Sequence, residues 1–319
     1  MKRTSILCFI MISLILSSLC GCGKENKQTQ SIKIAALNGP TGMGMAQLMD
    51  QKKEQYEVTL YQSADDIVGK IVTGEIDIAC VPSNLAAVLY KKTDKNIYLL
   101  GTNTLGTLYI VENGNQITTL EDLRGKTIIA SGQGSTPEYV LDQLLLGQGI
   151  DPSKDVTIEF LGNHTDVVTK LVATKDVIAL LPQPHVTIAK AKDDNVRIAL
   201  DLNQTWESQL HTQLPMGVII ANKEFVDAHQ EEIEAFLKDY AYSVKFVNDY
   251  IDEAATIMVQ QEILISEEIA KAAIPYCHIV FIDGKASKEA LEQFYTILQE
   301  INPSAIGGAL PDDTFYYQK

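Results

Sequence analysis

The apolar positions of the chain repeat. Residues 66–82 read DIVGKIVTGEIDIACVP and residues 166–182 read DVVTKLVATKDVIALLP, aligned without a gap. Asp66, Val68, Lys70, Val72, Ile78, Ala79 and Pro82 recur as Asp166, Val168, Lys170, Val172, Ile178, Ala179 and Pro182, and most other pairs are apolar for apolar. The flanks agree. VTLY (58–61) precedes the first copy and VTIE (156–159) the second. Further upstream, IKIAAL (32–37) runs into the loop NGPTGMG, as KTIIAS (126–131) runs into GQGST and the helical stretch PEYVLDQLLLGQG. Each half therefore reads strand, Gly-rich loop, helix, strand, helix, strand, Pro-containing loop, helix. Strands alternating with helices predict an α/β chain of two lobes, each a mostly parallel sheet flanked by helices.

Between the halves, TLYIV reads as a strand, GNQ as a turn and TTLEDL as a helix start capped through Thr119 and Asp122. LPMGVIIANKEF (214–225) reads as another strand with a helix starting at Asn222. These two segments are expected to be paired crossovers between the lobes. From Lys223 on, apolar residues recur at helical spacing (Phe225, Ile233, Phe236, Leu237, Tyr240, Val244), with further helices over 251–262, 266–274 and 287–300. The expectation is an all-helical tail on the outside of lobe 1. The predicted organisation is a signal segment over 1–21, a tether over 22–31, lobe 1 over 32–113, lobe 2 over 114–213, and a lobe 1 return with C-terminal helices over 214–319.

The N-terminus has a different pattern. Lys2 and Arg3 precede an apolar run from Ile6 to Leu16, followed by small residues and cysteine. That order is a secretory signal, and the run is shorter than the roughly 20 residues that span a bilayer. Leu19-Cys20-Gly21-Cys22 resembles a bacterial lipobox, with Cys22 as the lipidated residue. GKENKQTQS (23–31) is polar and aperiodic and reads as a flexible tether.

Composition narrows the partners. A formal charge of −15 without a Lys/Arg stripe argues against nucleic acid. Only Arg124 and Arg197 lie beyond the signal, so arginine clamps on a dianion have few candidates. Cys80 and Cys277 lie in apolar runs and are expected to be free thiols. No histidine pair has metal-ligand spacing, so neither a metal nor a cofactor is expected.

The order of segments is similar to that of the solute-binding proteins of ABC importers, in the nitrate/sulfonate/taurine and thiamine-precursor-like group. VTGEIDIACVPSNLAAVLY resembles that family's G-E-x-D segment, TTLEDLRGKTIIASGQGSTPEYVLDQLL its D-L-x-G-K segment and glycine/serine loop, and PMGVIIANKEFVDAHQEEIEAFLKDYAYSVKFVND its return strand and helices. The resemblance covers nearly all of the chain beyond the signal. It implies a two-lobed periplasmic-binding-protein-like fold (type II) that closes on a small solute and then docks on an ABC permease/ATPase complex. One departure stands out: lobe 2 has Thr174-Lys175-Asp176-Val177 where the family repeats G-x-x-D-A. Ligand identity is therefore not carried over.

In parallel sheets a ligand binds beyond the carboxyl ends of the strands. The expected ligand-binding residues are accordingly Gly39, Pro40, Thr41, Gly42, Met43, Ser83, Asn84, Thr104, Gln133, Gly134, Ser135, Thr136, His164, Gln183 and His185. Glycine lets backbone approach a ligand, and helix starts offer N–H groups to an anion. Ser135 or Thr136 also fit a plain helix cap, with Pro137 in the first turn. Trp206 is expected to pack on its own lobe. No nucleophile–base pair stands out, so no catalytic residue is expected. The leading expectation is a monomeric, membrane-anchored solute-binding lipoprotein on the extracytoplasmic face. An enzyme of the same fold and a ligand-presenting sensor are the alternatives.

Overall fold

The computed structural model describes residues 31–318. The expected signal segment, Cys22 and the tether up to residue 30 lie outside them. The duplication appears as two sheets built alike. β1 (Ile32–Leu37) lies parallel between β2 (Tyr56–Tyr61) and β3 (Ile78–Pro82). β6 (Thr127–Ser131) lies parallel between β7 (Thr157–Leu161) and β8 (Ile178–Pro182). The identical residues keep identical registers: Ile78 and Ala79 face Ile34 and Ala35, while Ile178 and Ala179 face Ile128 and Ile129. β3 and β8 are continuous apolar runs because helices cover both of their faces.

The helices repeat as well. α1 (Pro40–Met43) and α2 (Ala46–Gln51) follow β1, α3 (Asp65–Val72) follows β2, and α4 (Ser83–Lys92) follows β3. In the second lobe α5 (Thr136–Gly147), α6 (His164–Ala173) and α7 (His185–Lys192) follow β6, β7 and β8. α3 buries Ile67 and Ile71, and α6 buries Val167, Val168 and Leu171. Each carries aspartate in its first turn and lysine in its last, which suits the helix dipole. Asn163 caps α6 by accepting from the Asp166 amide at 2.9 Å.

The halves exchange strands. β4 (Ile97–Thr104) stays in the first sheet, but β5 (Leu108–Asn113) enters the second, antiparallel between β8 and β9 (Val196–Asp201). After α8 (Leu202–Leu210) the chain returns as β10 (Gly217–Asn222), antiparallel between β3 and β4. The sheet orders are β11-β4-β10-β3-β1-β2 and β7-β6-β8-β5-β9. This corrects the expected boundary after residue 113. β5 belongs to lobe 2, and the first crossover is the short segment 105–107. A second correction concerns the tail, which is not all helical: β11 (Ile279–Asp283) pairs antiparallel with β4 at the sheet edge.

The other tail elements are α9 (Lys223–Ala228), α10 (Gln230–Asp249), α11 (Ile251–Gln260), α12 (Glu267–Ala273) and α13 (Gly284–Ile301). Asn222 caps α9 through the Phe225 amide. α10 lays Ile233, Phe236, Tyr240 and Val244 on one face of the first sheet. α13 lays Leu291, Phe294, Tyr295 and Leu298 against the other side, in a buried cluster that also takes in Trp206, Val140 and Leu144 of lobe 2. Trp206 is fully buried and packs on Phe294 with ring centroids 5.7 Å apart, so besides packing on its own lobe, in one cluster with Val140 and Leu144, it joins that lobe to the tail. Cys80 and Cys277 are buried free thiols.

Truncating Trp206 removes a filled position at this joint. Trp206→Ala is expected to cost about 3–5 kcal/mol of unfolding free energy, read from urea midpoints. A cost below about 1 kcal/mol would mean that the joint is not part of the folded core.

Candidate functional site

The strand-end loops of the two lobes meet. The Thr136 hydroxyl, at the start of α5, donates to Asn84 Oδ1 of α4 at 2.8 Å, and both residues are buried. A Cβ placed on Gly39 would lie 4.0 Å from Pro184 Cδ, so the loop after β1 touches the loop after β8. α12 of the tail also rests against α7. Beside this seam a cavity of about 410 Å³ lies between Gln183, Thr187 and Lys190 on one side and Glu268, Ile269 and Tyr276 on the other.

Most of the expected site residues have polar atoms that are already engaged within the fold. Thr41 turns back on its own strand, donating to Leu37 O at 3.0 Å and accepting from Leu37 N at 3.2 Å. Gly42 is needed there, since a Cβ would lie 2.8 Å from Leu37 O. Met43 is core, with its sulfur 3.7 Å from the Cys277 thiol. Ser83 donates to Pro215 O at 2.7 Å and its carbonyl accepts from Tyr295 at 2.9 Å. Asn84 Nδ2 donates to Ala305 O, and Thr104 donates to Asn103 Oδ1. Gln183 Oε1 accepts from the Thr187 hydroxyl at 2.8 Å, and its backbone N–H donates to Thr107 O. Gln133 and Gly134 are exposed, the Gly134 amide donates to Glu138, and Ser135 donates to Gly132 O. Pro40 is half-buried, and Gly39 needs its positive φ of 117° to turn the loop.

The structure does bring the two histidines together. His164 opens α6 and His185 opens α7, on either side of Ser131 at the end of β6. The rings lie 4.9 Å apart, and Ser131 Oγ sits 2.5 Å from His164 Nδ1. His185 Nδ1 is buried without a hydrogen-bond partner among the described residues, as is Asn38 Oδ1 on the loop that meets Pro184. Burial, with His185 adding, holds the His164 imidazole down to about 3, and burial holds His185 down to about 4. Both rings are therefore neutral at physiological pH. Sequence reasoning missed Asn38 and Ser131, although Asn38 opens the quoted glycine loop and Ser131 is the last residue of KTIIAS. Among the described residues no group of three or more His, Cys, Asp or Glu could hold a metal ion.

A family model described as "ABC transporter, phosphonate, periplasmic substrate-binding protein" matches residues 44–263. The chain belongs to this family. It is thus a solute-binding component of ABC import systems, an extracytoplasmic and non-enzymatic class, and the family resemblance read from the sequence holds at that level. Among solved structures, an ABC transporter protein from Parabacteroides distasonis is 24% identical, with a TM-score of 0.78 over 91% of this chain and 99% of that one. The periplasmic aliphatic sulphonate binding protein SsuA from Escherichia coli is 13% identical, with a TM-score of 0.70 over 88% and 96%. The ligand-binding component of an ABC-type import system from Staphylococcus aureus, solved with zinc bound, is 17% identical, with a TM-score of 0.67 over 90% and 96%. At these identities the likeness shows the two-lobed periplasmic binding fold. A comparison with curated protein sequences finds no match. No helix of the described residues is long and apolar enough to cross a membrane.

The histidine pair gives the fold an acid limit. Both rings titrate lower when folded than when unfolded, where the ordinary value is 6.5. Between pH 6.5 and about 4 the unfolded chain binds more protons, so stability falls as pH drops through that window. Above pH 6.5 both states are neutral and the pair contributes no slope. Replacing both histidines, as His164→Gln with His185→Gln, is expected to flatten this acid limb by at least about 1 kcal/mol per histidine between pH 7 and pH 4. An unchanged limb in chemical denaturation would contradict the buried, neutral pair.

Proposed function

We propose that this chain captures a small organic solute between its lobes and hands it to an ABC permease while anchored to the membrane through a lipid on Cys22. The observation that carries the reading is the seam itself. Loops from the carboxyl ends of β1, β3, β6 and β8 converge there, with buried polar atoms left without partners. Parallel strands deliver loops and helix starts to the same edge of each sheet, which is where ligands bind in such folds. Closure of two lobes around a solute also supplies two states that a permease can tell apart.

The proposed contact residues are narrower than the sequence list. His164, His185, Asn38 and Ser131 come first. Thr136 and Asn84 act as the latch between the lobes, and Gly39, Pro40 and Gln183 shape the wall. The anchor supports delivery, because two acyl chains hold a protein at the bilayer and a tether of about ten residues reaches tens of ångströms at most.

The test is uptake. Cells lacking the chain are expected to leave at least one small solute in the medium that wild-type cells deplete, and expressing the chain restores depletion. Cys22→Ala is expected to lose both fatty-acid labelling and most of the restoration, and Asn84→Trp to lose restoration while keeping the label. Identical depletion profiles with and without the chain would sink the proposal.

A further inference from the structure

The family that matches is described by phosphonate, yet the charges along the seam do not suit one. A dianion leaves water readily only when positive side chains or free helix N-termini replace its hydration. The strand-end loops 38–43, 62–64, 83–84, 104–107, 131–136, 162–164 and 183–185 contain neither Lys nor Arg. The two arginines of the body are engaged elsewhere, Arg124 with Glu121 and Asp155 and Arg197 with Glu112. Lys190 lines the neighbouring cavity, across from Glu268.

Three of the helix starts are balanced by acids; α1, α4 and α7 carry none in their first turns, although the Thr187 amide of α7 already donates to Gln183 Oε1 and the Ser83 amide of α4 to Met216 O. α3 carries Asp65 and Asp66 in its first turn, α5 carries Glu138 and α6 carries Asp166. The Glu138 carboxylate already accepts the Gly134 amide, and Asn163 accepts the Asp166 amide. An incoming dianion would meet three helix ends whose partial positive charge the chain has already balanced with its own carboxylates.

What the seam offers instead is acceptors. Asn38 Oδ1 can only accept. His185 Nδ1 lies in a ring that stays neutral in its buried setting, and with the ring proton on Nε2 it accepts as well. Both atoms are buried without a partner among the described residues, and the loops that carry them touch through Gly39 and Pro184. A buried acceptor lacking a donor is unfavourable, and a ligand N–H relieves it. This chemistry belongs to one half of the duplication. His164 and His185 correspond to Ala64 and Leu85 in the first copy.

Resting on the reading of the seam as the solute cleft, we propose that the solute presents an N–H group without negative charge to Asn38 and His185, and that dianionic phosphonates are selected against.

Calorimetric titration of the full chain with 4-aminopyrimidine, acetamidine, methylphosphonate and ethanesulfonate tests this. At least one N–H probe is expected to bind tenfold or more tightly than methylphosphonate. His185→Leu, which copies the residue at the matching position of the first lobe, is expected to weaken that binding tenfold or more while the melting temperature holds. Methylphosphonate binding more tightly than both N–H probes overturns the proposal, as does unaltered affinity in both His185→Leu and Asn38→Leu. Silence from all four probes counts against the N–H class as well. Asn84→Trp distinguishes a failure of the selectivity from a failure of the cleft. If it abolishes tight methylphosphonate binding, the cleft stands and only the selectivity fails. If it leaves the binding of every probe intact, the cleft itself is misplaced.

Discussion

The exchange of strands between the halves is the constraint on which the rest of the structure depends. Neither sheet is complete without a strand from beyond its own repeat. β5 closes the gap between β8 and β9, and β10 closes the gap between β3 and β4. The chain therefore crosses between lobes at 105–107 and again before β10, and the crossings are tied to each other and to their surroundings. Met216 N donates to Thr104 O, Ser83 N to Met216 O and Leu105 N to His278 O. Gly106 accepts from His278 and has no room for a side chain, because Asn203 fills the space a Cβ would take. Two short, well-seated crossings limit how the lobes can move relative to each other. They also fix which loop of one lobe meets which loop of the other.

Given that frame, the chemistry of the seam follows from where polar atoms find partners. Hydroxyls and amides in the loops are mostly consumed in holding the loops: Thr41 on β1, Ser83 on the crossing, Gln183 on α7, Thr136 on Asn84. A polar residue in a loop is thus more often scaffold than contact, and the spare capacity falls to very few atoms. Burial then keeps His164 and His185 uncharged, and without Lys or Arg the strand-end loops offer hydrogen bonding as their main polar interaction.

Much of this was legible in the residues. The gapless repeat of 66–82 in 166–182 gave two matching halves, because the identical positions sit at identical places in the strand registers. Caps such as Asn222 and the Thr119–Asp122 box were readable because they act within a few residues. The sheet to which β5 belongs was not, since TLYIV is apolar either way and its partners lie about 70 residues downstream at 178–182. β11 was hidden in a tail of helical periodicity because it is a short edge strand beside β4. At the site, the residue types were readable and their availability was not. Thr41 and Asn84 look like ligand contacts in sequence, and only the structure shows that their polar atoms already have partners within the fold. Asn38 and Ser131 were overlooked for the converse reason: nothing local marks an oxygen as unpartnered or a hydroxyl as aimed at an imidazole from another loop.

The central claim is that the two lobes close on a solute between them, and an interlobe distance reports it most directly. Val72 at the end of α3 and Leu146 near the end of α5 are both about half exposed and lie on different lobes, so each accepts a spin label without disturbing the core. Pulsed electron resonance on the doubly labelled chain is predicted to give a shorter, narrower distance distribution when a bound solute is present than when it is absent. Identical distributions in the two conditions, with binding verified by calorimetry on the same sample, would contradict the account.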